Sequence, residues 1–395
     1  MGTSYHATLL PGLDGGIGAR YNCTMPDDNR QLPSAAASAI PTLQSQVTAK
    51  WELAASQTES ALQQTLALAF LGSASSGKDA AIRALFGIDF GQIDPIPGST
   101  SEVRVAPVDA DRRFLVVNAP GFGDLRASVQ AQAERVLDSL DLAIYVVNCD
   151  GGATIDEKRD LDKVRALGRP TLVCLNKIDL IRPNQRETFV RSTLVQLGIT
   201  EEMVAVTAFD PLPQLVDHPI GVDAVVNWIW SHLQDGGKSL LFAKNVRNKV
   251  AACEPIIAAA ARHAAMAGAI PIPGADATAV TAVQVKLVTD LAAVFGRRMD
   301  KELVLFVLGE ALAGTSKGFV RWGVEAAKAA GWLPGGQVLT VAVSGIGAVI
   351  ASATTYGVGK ATVVYLQRDG KVSGNELRDV FDAEAYEYRK REQGS

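Results

Sequence analysis

Gly72-Ser73-Ala74-Ser75-Ser76-Gly77-Lys78 lies between an apolar run at 65–71 and a segment with helical periodicity at 79–86. Glycines let the backbone turn so that successive N–H groups point at one anion, and the following helix adds its N-terminal dipole. Lys78 adds a positive charge near the β- and γ-phosphates of a nucleotide. The order of strand, glycine loop and helix therefore predicts a phosphate-binding loop. The predicted phosphate contacts are Ser73, Ala74, Ser75, Ser76, Gly77, Lys78, Asp79 and Ala80.

The segments that follow this loop alternate between short apolar runs and amphipathic stretches. Apolar runs of this length between turn residues indicate buried strands, and the stretches between them have helical periodicity. Alternating strands and helices predict an α/β fold with a mainly parallel sheet and helices on both faces. The predicted strands lie at 65–71, 103–108, 113–118, 142–148, 170–175 and 203–207, and the predicted helices at 79–86, 125–139, 155–167, 184–197 and 222–234.

The two ends of the chain have a different character. Residues 1–42 mix Gly, Pro, Ser and Ala without a period, which predicts a flexible N-terminal arm, and 43–64 has the pattern of a helix. From residue 238 onward strand patterns disappear and helical periodicity dominates. We therefore expect the α/β domain to span 65–236 and an all-α domain to span 238–395.

Composition narrows the class of protein. The chain has 395 residues, a net charge of −4 and no block of basic residues, which argues against a nucleic-acid partner held by a cationic face. Cys23, Cys149, Cys174 and Cys253 are far apart and form no CxxC pair, so we expect reduced thiols in a cytoplasmic protein. A secretion signal is not expected either, because the N-terminus lacks a basic segment followed by an apolar run.

A second motif, Asn176-Lys177-Ile178-Asp179, follows the predicted strand at 170–175 directly. Ligands bind at the carboxyl ends of strands in open α/β sheets. The carboxylate of Asp179 can accept hydrogen bonds from N1–H and N2–H of guanine, a donor pair that adenine lacks. A solvated Asn-Lys turn is the alternative interpretation, but the order of the two motifs favours recognition of GTP and GDP over ATP.

Taken together, these motifs resemble the Era-like branch (TrmE, Era and EngA) of the P-loop GTPases. The segment from Gly77 to Phe86 resembles that branch's G-K-S-S-L-I-N-A-L helix start, and 97–102 (Pro-Gly-Ser-Thr-Ser-Glu) resembles its P-G-T-T-R-D switch. Asn118-Ala119-Pro120-Gly121 stands in the place of D-T-P-G, and Thr207-Ala208 in the place of its S-A motif. The resemblance covers about 65–234 and implies a G domain of the P-loop NTPase fold.

The resemblance also implies roles for individual residues. Thr100 would be the switch threonine that reaches Mg²⁺ and the γ-phosphate, and the N–H of Gly121 would touch the γ-phosphate. Thr207 and Ala208 would contact the guanine carbonyl through their backbone. Lys78, Thr100 and Gly121 are thus the candidate catalytic residues, and the family's activity implies a switch that hydrolyses GTP to GDP and phosphate. Phe122 stands where Ras-type proteins place a water-orienting Gln, which implies slow turnover.

Two departures from the family pattern concern the metal. Asp79 replaces the Ser or Thr that follows the loop lysine, and Asn118 replaces the Asp that begins D-x-x-G. One hypothesis is a swapped metal shell, in which Asp79 ligates Mg²⁺ directly and the Asn118 amide holds either Asp79 or a bound water, with Thr100 as a further metal residue. The rival hypothesis is a degraded site in which Asp79 repels phosphate and the chain binds nucleotide poorly.

The helical half carries two further features. Pro271-Ile272-Pro273-Gly274-Ala275-Asp276 resembles the entry to a helical domain of unknown activity found after Era-like GTPases and in YcjF-like bacterial proteins. The uncharged run 332–359 is long enough for a membrane span, with small residues repeating every four positions at Gly347, Ala351, Thr355 and Gly359. Gly, Ser and Thr dilute its hydrophobicity, so a buried helix in a soluble bundle is the favoured interpretation.

Three functions remain open on the sequence alone. The first is a cytoplasmic GTPase switch that couples nucleotide state to the helical domain, acting through a protein effector or self-association. The second is a GTP-binding scaffold without hydrolysis. The third is a GTP-controlled protein whose 332–359 helix enters or touches the inner membrane. A guanine nucleotide is the common expected ligand, and no nucleic-acid partner is expected.

Overall fold

A computed structural model describes residues 34–89, 104–119, 140–233, 237–269, 275–312 and 338–393. Within these ranges the side chains at 34–43, 275–277 and 338–346 lie outside the description. The helix predicted at 125–139 and the 271–274 part of the segment that resembles a helical-domain entry fall on residues that are not described.

A six-stranded sheet forms the centre of the α/β region, in the order β2-β3-β1-β4-β5-β6. Five of its strands are parallel, and β2 alone runs antiparallel, against β3. The mainly parallel sheet predicted from the sequence is therefore confirmed. Its strands are β1 (Leu66–Leu71), β2 (Arg104–Pro107), β3 (Phe114–Asn118), β4 (Leu142–Asn148), β5 (Thr171–Asn176) and β6 (Val204–Val206).

Helices cover both faces of this sheet, because its central strands are apolar on both sides. The helices of the α/β region are α2 (Lys78–Phe86), α3 (Ile155–Ala166), α4 (Arg186–Leu197) and α5 (Val222–His232). One core cluster joins the sheet to α2 and α5, with Phe70, Ile82 and Val226 among its buried residues. A second cluster on the other face includes Tyr145, Leu161 and Leu197 from β4, α3 and α4.

The N-terminal helix is longer than the sequence predicted. Helix α1 spans Ser34–Leu62, so part of the predicted flexible arm at 1–42 is helical, and the helix predicted at 43–64 begins nine residues earlier. The segment 35–39 reads Ala-Ala-Ala-Ser-Ala, and alanine has the highest helix propensity of any residue. The start of α1 has no apolar period, and for that reason the sequence wrongly predicted a flexible segment there.

The remaining described elements are all helical, as predicted. They are α6 (Lys238–Asn245), α7 (Lys249–Gly268), α8 (Ala275–Val294), α9 (Lys301–Leu312), α10 (Val338–Gln367) and α11 (Gly374–Gln393). The first of them is tied to the amino-terminal edge of the sheet. Lys238 Nζ lies 2.5 Å from Asp141 Oδ1, and Asp141 Oδ2 accepts a hydrogen bond from the Ala67 N–H at 3.0 Å.

The helical region also shares a core with the sheet. Phe242 of α6, Ile257 of α7 and Leu291 of α8 belong to the same buried cluster as Phe70 and Phe114 of the sheet. A separate cluster, with Val288 and Phe381 among its members, joins α1 and α8 to α9, α10 and α11. Movement in one region must therefore be accommodated by side chains of the other, since packed interiors leave few voids.

The small-residue stripe of α10 makes close helix contacts. A Cβ atom added to Gly347 would lie 2.4 Å from the Gly268 carbonyl oxygen of α7, and one added to Gly359 would lie 2.7 Å from Ile257. The repeat of small residues thus lets α10 approach α7 closely. Among the helices of the described ranges, none combines the length and apolar character needed to cross a membrane.

Replacing Gly347 by Ala should destabilise the fold. The added methyl group would meet the α7 backbone at Gly268, so the free energy of unfolding should fall by about 1–3 kcal/mol. Gly309 in α9 is the matched control, because a Cβ there meets nothing within 4 Å, and Ala should stabilise that helix by about 0.5–1 kcal/mol. Chemical denaturation of both variants measures the difference, and equal stabilities would contradict the close contact.

Candidate nucleotide-binding site

The predicted phosphate loop lies between β1 and α2, at the carboxyl edge of the sheet. Its first glycine, Gly72, has φ 140°, and a Cβ there would lie 2.2 Å from the Val146 carbonyl oxygen of β4. Its last glycine, Gly77, has φ 98°, and a Cβ there would lie 2.2 Å from Asn176 Nδ2. Both positions therefore require glycine, for backbone conformation and for space.

Lys78 begins α2 and turns back over the loop. Its Nζ donates hydrogen bonds to the carbonyl oxygens of Gly72 and Ser73, at 2.8 Å each. The side chain is only 5% exposed, and a charge so well buried needs polar partners. The loop carbonyls thus hold the ammonium group against the curved backbone that the sequence predicted to cradle phosphate.

Asn176, from the second motif, connects three loops at the end of β5. Its Nδ2 donates to the Ser76 carbonyl oxygen at 2.9 Å, and its Oδ1 accepts from the Phe209 N–H at 3.1 Å. Lys177, the next residue, has a left-handed backbone with φ 66°, and the N–H of Ile178 donates to the Thr207 carbonyl oxygen at 3.1 Å. The structure therefore brings the phosphate loop and the two predicted base-recognition segments together.

One carboxylate oxygen of Asp179 remains available to accept hydrogen bonds from a ligand. The residue is 8% exposed, and its Oδ2 accepts from the Leu212 N–H at 3.1 Å. Its Oδ1 has no hydrogen-bond partner within the described residues. An unsatisfied buried carboxylate oxygen is costly, and a donor pair such as N1–H and N2–H of guanine suits this group.

Nearby, Thr207 and Ala208 lie directly after β6. The Thr207 N–H donates to the Leu175 carbonyl oxygen at 2.8 Å, and Ala208 exchanges backbone hydrogen bonds with Ile220. These bonds fix the backbone of the segment that the family resemblance assigns to the guanine carbonyl.

The two residues that depart from the family pattern contact each other. Asn118, fully buried at the end of β3, donates from its Nδ2 to Asp79 Oδ1 in the first turn of α2. Asp79 is half-buried, and the bond from Asn118 engages its Oδ1. A carboxylate oriented by an amide beside the loop lysine fits Mg²⁺, which prefers oxygen ligands and keeps several waters.

One contact of the loop was not foreseen. The Ser73 hydroxyl donates to Glu157 Oε1 of α3 at 2.8 Å. Glu157 also closes a capping box with Thr154, whose N–H donates to Oε2 at 3.0 Å and whose Oγ1 accepts from the Glu157 N–H at 3.1 Å. The Thr-x-x-Glu spacing is a sequence signal for such a helix start, but it does not indicate the long-range contact with Ser73.

Cys149, which directly follows β4, is close enough to Asp179 and Glu157 for their charges to act on its thiol. Burial, together with the smaller effect of the charges of Asp179 and Glu157, raises the pKa of its thiol to about 12. A thiol with so high a pKa stays protonated at neutral pH and is a poor nucleophile. Cys149 is therefore a packed core residue.

Several predicted site residues lie outside the described part of the chain. They are Thr100, Gly121, Phe122 and the rest of the switch segment 97–102. In the described ranges no three His, Cys, Asp or Glu side chains gather into a metal cluster. A P-loop metal site does not need such a cluster, because phosphate oxygens and water complete the shell.

A family model described as "Elongation factor Tu GTP binding domain" matches residues 61–302, more than half of the chain. The chain belongs to this family. A second model, described as "Domain of unknown function (DUF697)", matches 242–387. The two matches confirm the expected order of a P-loop GTPase domain and a helical domain of unknown activity. They overlap at 242–302, the region where the helices share a core with the sheet.

Individual relatives of this GTP-binding family match shorter stretches. GTPase Der of Streptomyces coelicolor is 32% identical over 117 residues, which are 28% of this chain and 25% of that protein. GTPase Der of Stenotrophomonas maltophilia is 28% identical over 43% of this chain and 35% of its own length. The probable GTP-binding protein EngB of Gemmatimonas aurantiaca is 26% identical, over 35% of this chain and 71% of its own length. The chain thus matches about a third or less of the Der proteins' length.

Two solved structures are also similar. Era in complex with MgGDPNP and a fragment of 16S ribosomal RNA has a TM-score of 0.35 and 16% identity, covering 51% of this chain and 67% of its own. A probable GTP-binding protein engB has a TM-score of 0.33 and 18% identity, covering 43% and 99%.

Proposed function

We propose that the chain is a slow GTPase switch that binds GTP or GDP with Mg²⁺ and transmits the state of the nucleotide to its helical region. The observation that carries this proposal is the position of α2. One nine-residue helix begins at the phosphate loop and ends against the first helix of the helical region. A shift at its first turn therefore reaches the helical region without an intermediate element.

The contacts at the end of α2 support this route. The Leu85 carbonyl oxygen accepts a hydrogen bond from the Arg247 N–H, between α6 and α7, at 2.8 Å. The Phe86 ring packs edge-on against Phe114 at 5.2 Å and against Phe242 of α6 at 6.2 Å. Such aromatic packing is directional and transmits displacement because close-packed interiors resist compression.

At the other end of α2, each residue has a distinct role in the proposal. Asp179 selects guanine through its free carboxylate oxygen, and Lys78 neutralises charge on the phosphates. Asn118 orients the Asp79 carboxylate, which would hold Mg²⁺ together with Thr100. When bound, Mg²⁺ neutralises charge on the β- and γ-phosphates. The Gly121 N–H would contact the γ-phosphate, so that hydrolysis releases the switch segments.

The second candidate is a GTP-binding scaffold without hydrolysis. The Asn118–Asp79 hydrogen bond favours it as well, because a carboxylate engaged by an amide can serve as a fixed structural group beside the phosphates. A phosphate-release assay with GTP and Mg²⁺ separates the two candidates. Release that depends on Lys78 supports the switch, whereas tight GTP binding without release supports the scaffold.

Replacing Phe242 by Leu should uncouple the helical region from the nucleotide. Leu keeps the site apolar but lacks the ring face that meets Phe86, so GTP affinity should remain within about twofold while the signal through α2 weakens. Hydrogen–deuterium exchange of 238–268, with a GTP analogue and with GDP, measures the coupling. We expect a nucleotide-dependent difference in the wild type and less than half of it in the variant.

Phe381→Leu is the matched control, since Phe381 is equally buried but belongs to the separate cluster around α11. That variant should keep the nucleotide-dependent difference. A wild-type chain with identical exchange in both nucleotide states would contradict the switch.

A further inference from the structure

Glu157 is a buried charge beside the phosphate loop that the proposed mechanism has not used. Its side chain is 5% exposed, and both of its oxygens are engaged. Oε1 accepts from the Ser73 hydroxyl at 2.8 Å, whereas Oε2 accepts from the N–H and the hydroxyl of Thr154 at 3.0 and 3.1 Å. Burial of a carboxylate costs free energy unless hydrogen bonds replace those lost to water. The hydrogen bond from Ser73 therefore offsets part of the cost of burying Glu157.

This contact is linked directly to the loop lysine. Ser73 donates to Glu157 through its hydroxyl, and its own carbonyl oxygen accepts from Lys78 Nζ at 2.8 Å. Glu157 therefore fixes the position of Ser73, and Ser73 in turn accepts a hydrogen bond from Lys78. Asn176 secures the other end of the same loop through the Ser76 carbonyl oxygen. The loop is thus fastened from outside near both of its ends.

The position of Glu157 in α3 favours a charged carboxylate there. It lies in the first turn of the helix, where the dipole stabilises negative charge, and it forms half of a capping box. A helix cap alone would need only the contacts with Thr154. Glu157 accepts an additional hydrogen bond from Ser73, which lies 84 positions earlier in the sequence, and helix capping does not account for this bond.

We propose that Glu157 is a positioning residue for nucleotide binding, which fixes the phosphate loop through the Ser73 hydroxyl. This inference rests on the proposed binding of guanine nucleotide. A loop held in its binding conformation before the nucleotide arrives loses less conformational entropy on binding. Removal of the contact should therefore weaken GTP and GDP alike, since it acts on the loop and not on the base or the γ-phosphate.

The test is a double-mutant cycle on nucleotide affinity, measured by titration calorimetry with GDP and with a GTP analogue. Ser73→Ala should weaken both nucleotides about tenfold, which corresponds to about 1.4 kcal/mol. Glu157→Gln, which keeps the shape but loses the charge, should weaken both less than Ser73→Ala does. Ser73→Ala combined with Glu157→Ala should bind no more weakly than Glu157→Ala alone, because the two residues share one interaction.

Thr154→Ala separates positioning from simple capping. It removes the Thr154 half of the capping box but leaves the Ser73–Glu157 bond, so it should lower the melting temperature while nucleotide affinity stays within about twofold. If Ser73→Ala binds as the wild type does, or if Thr154→Ala weakens binding as much as Glu157→Ala, Glu157 is only a helix cap. A wild-type chain that binds neither nucleotide would instead refute the proposed function and this inference together.

Discussion

Replacing Asp179 by Asn is expected to weaken GTP binding about 100- to 10,000-fold and to abolish the preference for GTP over ATP, since each hydrogen bond to a charged group contributes about 1.5–3 kcal/mol. Asn keeps the shape of the side chain and one oxygen that can accept from the Leu212 N–H. Its amide N–H₂ would face the guanine donors in place of the free Oδ1. The change therefore replaces an attraction by a donor–donor conflict.

Asp217→Asn is a suitable control for that experiment. Asp217 lies between β6 and α5, in the stretch that also holds Leu212, but it is almost fully exposed and pairs with His218. Its replacement should leave the affinities for GTP and ATP unchanged. If Asp179→Asn retained the GTP preference of the wild type, the base assignment would be wrong.

The second large effect is expected at the metal. Asp79→Ser leaves neither position 79 nor position 118 with a carboxylate, and Asn118 loses its acceptor. Mg²⁺-dependent GTP affinity should then fall by about 10- to 100-fold, because the loss of a charged metal ligand costs about 1–3 kcal/mol. Titration of GTP with and without Mg²⁺ measures this loss.

A double variant tests the swapped metal shell specifically. Asp79→Ser with Asn118→Asp recreates the arrangement typical of the family and should regain most of the Mg²⁺-dependent affinity. If the single change Asp79→Ser improves binding instead, the carboxylate repels phosphate and the degraded-site hypothesis is correct.

The fold was largely predictable because its strongest signals are local. Each described strand was predicted to within two residues, since buried parallel strands are short apolar runs bounded by turns. Gly72 and Gly77 were predictable for a similar reason, because their conformations suit no other residue. Helix α1 was predicted too short, because its alanine-rich start has high propensity but no apolar period.

The contacts between distant segments were harder to predict. The bond from Ser73 to Glu157 and the packing of Phe86 against Phe242 join residues 84 and 156 positions apart. Neither residue type requires such a partner, so only the tertiary arrangement reveals it. The pairing of Asn118 with Asp79 was suggested by a family pattern with both positions altered, and its role in holding metal stays a prediction.

The measurement that tests this account most directly is a calorimetric titration of the chain with GTP, GDP and ATP, each with and without Mg²⁺. We predict binding of both guanine nucleotides, an ATP affinity at least about 100-fold weaker, and a gain in GTP affinity on addition of Mg²⁺. Equal affinity for ATP and GTP, or GTP binding that Mg²⁺ does not change, would contradict it.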